Sequence, residues 1–232
     1  MVACIVCDVL GEKNNGTTLA ATNLIDYLKS RGHEVRVVCC DKDKNGKENY
    51  YVTPTFNFGK FLNKVVYKNF YKHVYRYCGI IHYPTTFIRD VFESETHKTN
   101  SVVISNGVNE QFFKNVEAKR VSDKFTIICT GRYSKEKAQH LLIKAVAKSK
   151  YKDDTKIVFA GSGPYENRLR KLAGKLGVDA DFRFFSRSEL LSVLHGADLY
   201  VHTACIEIEA IACLEAIVSG LVPVINDSPR SA

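Results

Sequence analysis

Along the chain, hydrophobic positions first gather in a continuous run over residues 2–10, the pattern of a strand buried on both faces of a parallel sheet. A polar turn over 11–16 leads into residues 17–31. There Leu19, Ala20, Asn23, Leu24, Tyr27 and Leu28 fall at helical spacing, and Gly32 supplies the cap. Residues 33–40 return to a strand pattern, so the chain begins as strand, loop, helix, strand, one right-handed crossover unit. The pattern then weakens. Residues 41–49 are charged and loop-like, 50–59 are aromatic with Pro54, and 60–77 read as a basic, aromatic helix. A short strand over 79–83 ends at Pro84, a helix over 85–92 follows, and a strand over 101–105 runs into Asn106-Gly107. The polar, charged stretch 109–124 reads as a linker.

The second half is more regular. Strand patterns at 125–130, 156–160, 182–185, 199–202 and 222–225 alternate with helical patterns at 139–148, 165–176, 188–195 and 208–218. Such alternation predicts a doubly wound α/β domain. The chain therefore divides into an N-terminal domain over 1–112 and a C-terminal domain over 113–232, alike in type but without a repeat of residues.

Composition changes this picture little. A hydrophobic share of 45% and 11% aromatics in 232 residues exclude wholesale disorder and leave room for one large domain or two small ones. The formal net charge of +8 favours anionic partners (a nucleotide diphosphate, an anionic membrane, a nucleic acid), or simply keeps the domain soluble. Most of the eight cysteines sit in apolar runs. Cys4 and Cys7, three apart on a strand, point to opposite faces, and no second pair stands at zinc-like spacing, so buried free thiols in a reducing cytosol are expected and no metal is implied. No signal peptide precedes the first strand, and no apolar run approaches the roughly 20 residues of a membrane-spanning helix. A cytoplasmic protein, soluble or peripheral at the inner face of the membrane, is expected.

Four segments carry candidate chemistry. Glu207 and Glu215 fall with the last helical pattern; on one helix they would stand roughly 12 Å apart along the axis and about 80° around it. That is too far for an acid/base pair flanking one bond, but it suits two hydroxyl-bearing sugars of one elongated ligand. The helix N-terminus would offer backbone N–H groups to a diphosphate. Gly131, Arg132 and Lys137 follow the first strand of the second domain, where open α/β sheets take ligands; charge alone reads the same segment as a solvated loop with Glu136 paired locally. Gly161-Ser162-Gly163-Pro164 permits close backbone approach or is a plain tight turn, and it is neither a dinucleotide fingerprint nor a Walker loop. Asn14-Asn15-Gly16-Thr17 makes a flexible loop after the first strand.

In this order the segments resemble the retaining glycosyltransferases of the family-4 type, which have the GT-B architecture of two Rossmann-like domains. The resemblance runs from the Asn15-Gly16 loop through His82-Tyr83-Pro84-Thr85, Ile104-Ser105-Asn106-Gly107-Val108 and Gly131-Arg132 with Lys137. It continues through Gly161-Ser162-Gly163-Pro164, Ala197-Asp198-Leu199 and Glu207-x7-Glu215 to Ser219-Gly220-Leu221-Val222-Pro223-Val224. It implies a UDP-sugar or other NDP-sugar donor as substrate, a hydroxyl acceptor on a lipid or glycan, and no cofactor. On this resemblance Glu207 contacts the transferred sugar, with Arg132 and Lys137 on the donor diphosphate as the other catalytic groups. Glu215 binds the ribose hydroxyls, and the N–H groups of Ala210, Ile211 and Ala212 hold the phosphates. Gly16, Gly131, Gly161 and Ser162 line the donor site. Where the family pattern has Phe-Gly after the first glutamate, this chain has Glu209-Ala210, and the phosphate-binding turn is expected to differ. The first domain lacks middle strands and a histidine-bearing loop, and the closing helices after residue 225 are missing, so a shortened GT-B fold with self-association through unpaired sheet edges is expected. A nucleotide-diphosphate-binding module without transfer activity is the alternative. Lys60, Lys64, Lys68, Lys72 and Arg76 form one basic stripe on a helix, suited to an anionic membrane surface or to solvent; nucleic-acid binding is the least favoured use.

Overall fold

The computed structural model describes residues 2–6, 16–39, 50–52, 79–95 and 97–229. They form two compact units, one up to Ile104 and one from Ser105 onward. In the first unit, β1 (Val2–Val6), α1 (Gly16–Ser30), β2 (Glu34–Cys39) and β3 (Tyr50–Val52) build a parallel sheet in the order β1-β2-β3. Alternate residues of β2, Val35 and Val37, point under α1 and bury Ile25, with Ile5 and Leu28 packed beside them. A second parallel pair, β4 (Ile81–Tyr83) and β5 (Ser101–Val103), is joined through α2 (Thr86–Glu95). Tyr83 is buried against Phe92 of that helix, with ring centroids 5.8 Å apart. The strand β3 was not expected from the sequence, because three residues are too few to show alternation. Residues 7–15 and 60–77, with the Asn14-Asn15 loop and the basic stripe, lie outside the described residues.

The second unit begins with a 3-10 turn (Glu110–Phe113) and continues as β6 (Phe125–Thr130), α3 (His140–Lys148), β7 (Thr155–Ala160), α4 (Glu166–Leu176), β8 (Ala180–Arg183), α5 (Arg187–Gly196), β9 (Leu199–His202), α6 (Ile211–Val218) and β10 (Pro223–Ile225). Its five strands are parallel in the order β10-β9-β6-β7-β8. Period-two alternation sorts the core into two layers. Ile127, Cys129, Ile157 and Phe159 face α3 and α4 through Leu142, Ile143, Val146, Leu169 and Ala173. Ile128, Val158, Ala160 and Tyr200 face α5 and α6 through Leu191, Leu194, Cys213 and Ala216. From β6 the chain winds outward through β7 to β8, then returns to the other side of β6 for β9 and β10. The strand order therefore reverses between β6 and β9, the place where open α/β sheets leave a crevice.

The sequence set the linker at 109–124 and the boundary at 112/113; the structure sets the division between Ile104 and Ser105. The reason is packing. Phe112 is 1% exposed within the α5–α6 layer, where Val108, Val116 and Val121 join it. Residues that look like a polar linker thus dock on the second unit by a minority of apolar side chains.

Candidate functional site

Two loops at the carboxyl ends of β6 and β7 are knitted into one shelf. The N–H of Gly131 donates to the Ala160 carbonyl (3.0 Å), that of Tyr133 to Ser162 (2.9 Å), and that of Tyr165 to Tyr133 (3.1 Å). Gly131 has φ +132°, which an L side chain rarely adopts, and a Cβ on Gly161 would lie 2.0 Å from the Gly131 carbonyl oxygen. Only glycine at both positions lets the loops approach so closely. Tyr133 anchors the shelf from below: its ring is fully buried, edge-on to Phe159 and Phe182, and its hydroxyl donates to the Phe159 carbonyl (2.7 Å). Gln139 donates to the Arg132 carbonyl (2.8 Å). The loop is therefore not merely solvated, although Glu136 is paired locally, by the Ser134 hydroxyl. Arg132 presents an exposed side chain, whereas that of Lys137 is only 24% exposed.

The segment after β9 is stitched to the same loop. Thr203 donates from its hydroxyl to the Lys137 carbonyl (2.7 Å), and the N–H of Cys205 donates to Glu136 (2.8 Å). These bonds bring Glu207 to Lys137. Glu207 Oε2 accepts from Lys137 Nζ and from His202 Nε2, the latter at 3.1 Å, with the glutamate side chain 13% exposed. Burial pulls the Glu207 carboxyl upward, but the His202 hydrogen bond and the Lys137 charge outweigh it and hold the group below its ordinary value. Glu215 has the opposite surroundings. Its side chain is 13% exposed, with Arg187 Nη2 at 3.7 Å, and burial, only partly countered by Arg187, pushes its carboxyl up to about 7.

The placement of Glu207 and Glu215 on one helix is corrected. Helix α6 starts at Ile211, and Glu207 sits in the loop before it, so the axial spacing derived from a common helix does not apply. The cause is local. Ala210 has φ −76° and ψ 63°, and the Ile211 N–H closes back on the Glu209 carbonyl at 2.8 Å, the geometry of an inverse γ-turn. Alanine adopts that turn without strain, which answers why glycine is dispensable at 210. It also engages one of the three N–H groups, that of Ile211, singled out for phosphate. Glu209 turns to Ser105 and Asn106: both side chains donate to its carboxylate, and the Asn106 N–H adds a bond of 3.0 Å.

The structure thus unites Lys137 with Glu207 and joins the Gly131 and Gly161 loops, with Ser162 supplying a carbonyl to the junction. Glu215 is set apart with Arg187, and Gly16 opens α1 in the first unit. Sequence reasoning missed His202 and Arg187. His202 closes a strand at its carboxyl end, a position that could have flagged it; Arg187 opens α5 and gave no sign beyond its charge. Among the described residues no group of three or more His, Cys, Asp or Glu is placed to hold a metal ion, and no helix is long and apolar enough to cross a membrane.

A doubly wound parallel sheet with a cation–carboxylate pair and a glycine shelf at its strand ends defines an α/β domain of the class whose crevice lies where the strand order reverses. The chain belongs to the glycosyl transferases group 1 family, which matches residues 109–231, more than half of its length. It is 26% identical over 162 residues to alpha-monoglucosyldiacylglycerol synthase of Streptococcus pneumoniae, covering 63% of this chain and 37% of that protein. This chain therefore spans little more than a third of the length of that relative. The catalytic domain of cholesterol-alpha-glucosyltransferase from Helicobacter pylori is 54% identical over 47% of this chain and 68% of that one, with a TM-score of 0.43. Anabaena Alr3699/HepE, solved in complex with UDP and glucose, is similar over 98% of this chain and 81% of its own at 16% identity, with a TM-score of 0.71. That likeness is one of fold: α/β with parallel sheets, the fold class of the GT-B glycosyltransferases.

Proposed function

We propose that this chain moves a sugar from a UDP-sugar, or another NDP-sugar, to a hydroxyl acceptor on a lipid, with retention of anomeric configuration. The observation that carries this reading is the meeting of Lys137 and Glu207 beside the glycine shelf at the reversal point of the sheet. A cation there serves a diphosphate, and an ionised carboxylate fixed beside it accepts hydrogen bonds from sugar hydroxyls. Arg132 and Lys137 would neutralise charge building on the leaving diphosphate, an electrostatic contribution that needs no metal of the protein's own. The leaving diphosphate would act as the base toward the acceptor hydroxyl, while Glu207 positions the sugar and Glu215 holds the ribose. A lipid acceptor is supported by the pneumococcal relative, named for diacylglycerol, and by the lysines and arginine that recur every four residues in the sequence from Lys60 to Arg76.

Titration calorimetry of the full chain with UDP and UDP-glucose, followed by product analysis on diacylglycerol vesicles, tests the reading. Arg132→Ala should weaken UDP by roughly 1.5–3 kcal/mol through loss of a charge-assisted contact. Unchanged affinity would remove Arg132 from the donor site. Donor binding without any acceptor-dependent product would favour the nucleotide-binding module over the transferase.

A further inference from the structure

We propose that His202 is a positioning residue that ties the Glu207 carboxylate to the central sheet through a buried relay running Thr130–Tyr200–His202. Tyr200 and His202 are alternate residues of β9 and so share a face; their rings lie 6.2 Å apart at 20°. Tyr200 stands opposite Ile128 of β6, which brings Thr130, two residues further along the same strand, beside it. Thr130, Tyr200 and His202 are 8%, 0% and 3% exposed. The contacts run Thr130 Oγ1 to Tyr200 Oη at 3.0 Å, Tyr200 Oη to His202 Nδ1 at 3.4 Å, and His202 Nε2 to Glu207 Oε2 at 3.1 Å.

Proton accounting gives the relay a direction. An ionised carboxylate only accepts, so the proton in the last contact sits on Nε2 of His202. In the neutral imidazole Nδ1 is then an acceptor for the Tyr200 hydroxyl, whose burial keeps it protonated, and Tyr200 in turn accepts from Thr130. Tyr200 and His202 thus each have their donor and their acceptor matched. Both contacts of Glu207 fall on Oε2, one from Lys137 and one from His202, while Oε1 takes part in neither.

The two contacts differ in what stands behind them. Lys137 belongs to a loop and, on the function proposed above, serves the donor diphosphate; His202 belongs to a strand. Glu207 lies in a loop before α6, and its carboxylate orientation depends on whichever partner is rigid. That partner is His202. This inference rests on the proposed donor function in one respect only, that Glu207 meets the transferred sugar.

Two measurements on the full chain test it. Nitrogen NMR of the His202 ring, without any donor, should show the tautomer protonated at Nε2. Calorimetry should then show His202→Ala losing about tenfold in UDP-glucose affinity while UDP itself stays within about twofold. His202→Gln, which keeps an N–H near the same place, should recover most of the loss, and Tyr200→Phe should lie between. A ring protonated at Nδ1 alone overturns the relay, as does a His202→Ala variant that loses UDP and UDP-glucose equally along with thermal stability. If the unaltered chain binds neither nucleotide, the donor function falls, and the tautomer alone still decides the relay.

Discussion

Glu207 and Glu215 are the same residue type eight positions apart, yet their surroundings drive their acidities in opposite directions. Glu207 is fixed as an anion by His202 and Lys137, whereas Glu215 is held mostly away from water with only a distant Arg187. Because the Glu215 value of about 7 lies above the ordinary 4.5, its favourable contribution is fully present below pH 4.5 and is lost as the pH rises through 7. Glu215→Gln should therefore be more stable than the unaltered chain at pH 8, by on the order of 3 kcal/mol, and nearly equal to it at pH 4.5. Denaturant unfolding at the two pH values checks this; a difference independent of pH would mean that Glu215 is not buried as an acid. At this scale the sequence was legible in part. The family resemblance pointed to Lys137 and Glu207 as neighbours in function, while the histidine that holds Glu207 lies on a strand whose apolar neighbours read only as core.

Among the elements, what was legible had a period to show. The strands over 125–130 and 199–202 were expected with the bounds they have, since their buried runs are flanked by clear turns. Helix α6 was expected three residues early because Ile208, Ile211 and Ala212 continue an apolar pattern, and no pattern reveals the γ-turn at Ala210. The shelf was visible only as scattered glycines; their necessity comes from contact between two loops thirty residues apart. Gly161→Ala should cost about 3 kcal/mol or more, since the new Cβ meets backbone at 2.0 Å and neither loop can yield without breaking its bonds to the other. Gly174→Ala, exposed within α4 with nothing near its added carbon, should instead stabilise by roughly 0.5–1 kcal/mol. Thermal unfolding of the pair checks both signs.

Across the whole molecule, the second unit carries a two-sided core of its own, and the segment that resembles a linker belongs to it through Phe112. Residues 105–232, expressed by themselves, should therefore unfold in one cooperative transition, followed by circular dichroism because the chain has no tryptophan. A gradual, non-cooperative loss of signal would show that this core needs the remainder of the chain. The two-unit plan was legible from the alternation of strands and helices. The position of the division was not, because polar composition over 109–124 outweighs the few apolar side chains that decide where the segment packs.

The interlocked glycine loops also set a clock. The amide protons of Gly131, Tyr133 and Tyr165 each bond across the junction rather than within a single helix or strand. None can meet solvent deuterium until the loops part, so all three should exchange at one shared rate, slower than that of the exposed backbone nearby. A ligand that grips either loop would lengthen the wait for all three at once, and nucleotide binding would be recorded by an amide such as that of Tyr165, which need never touch it.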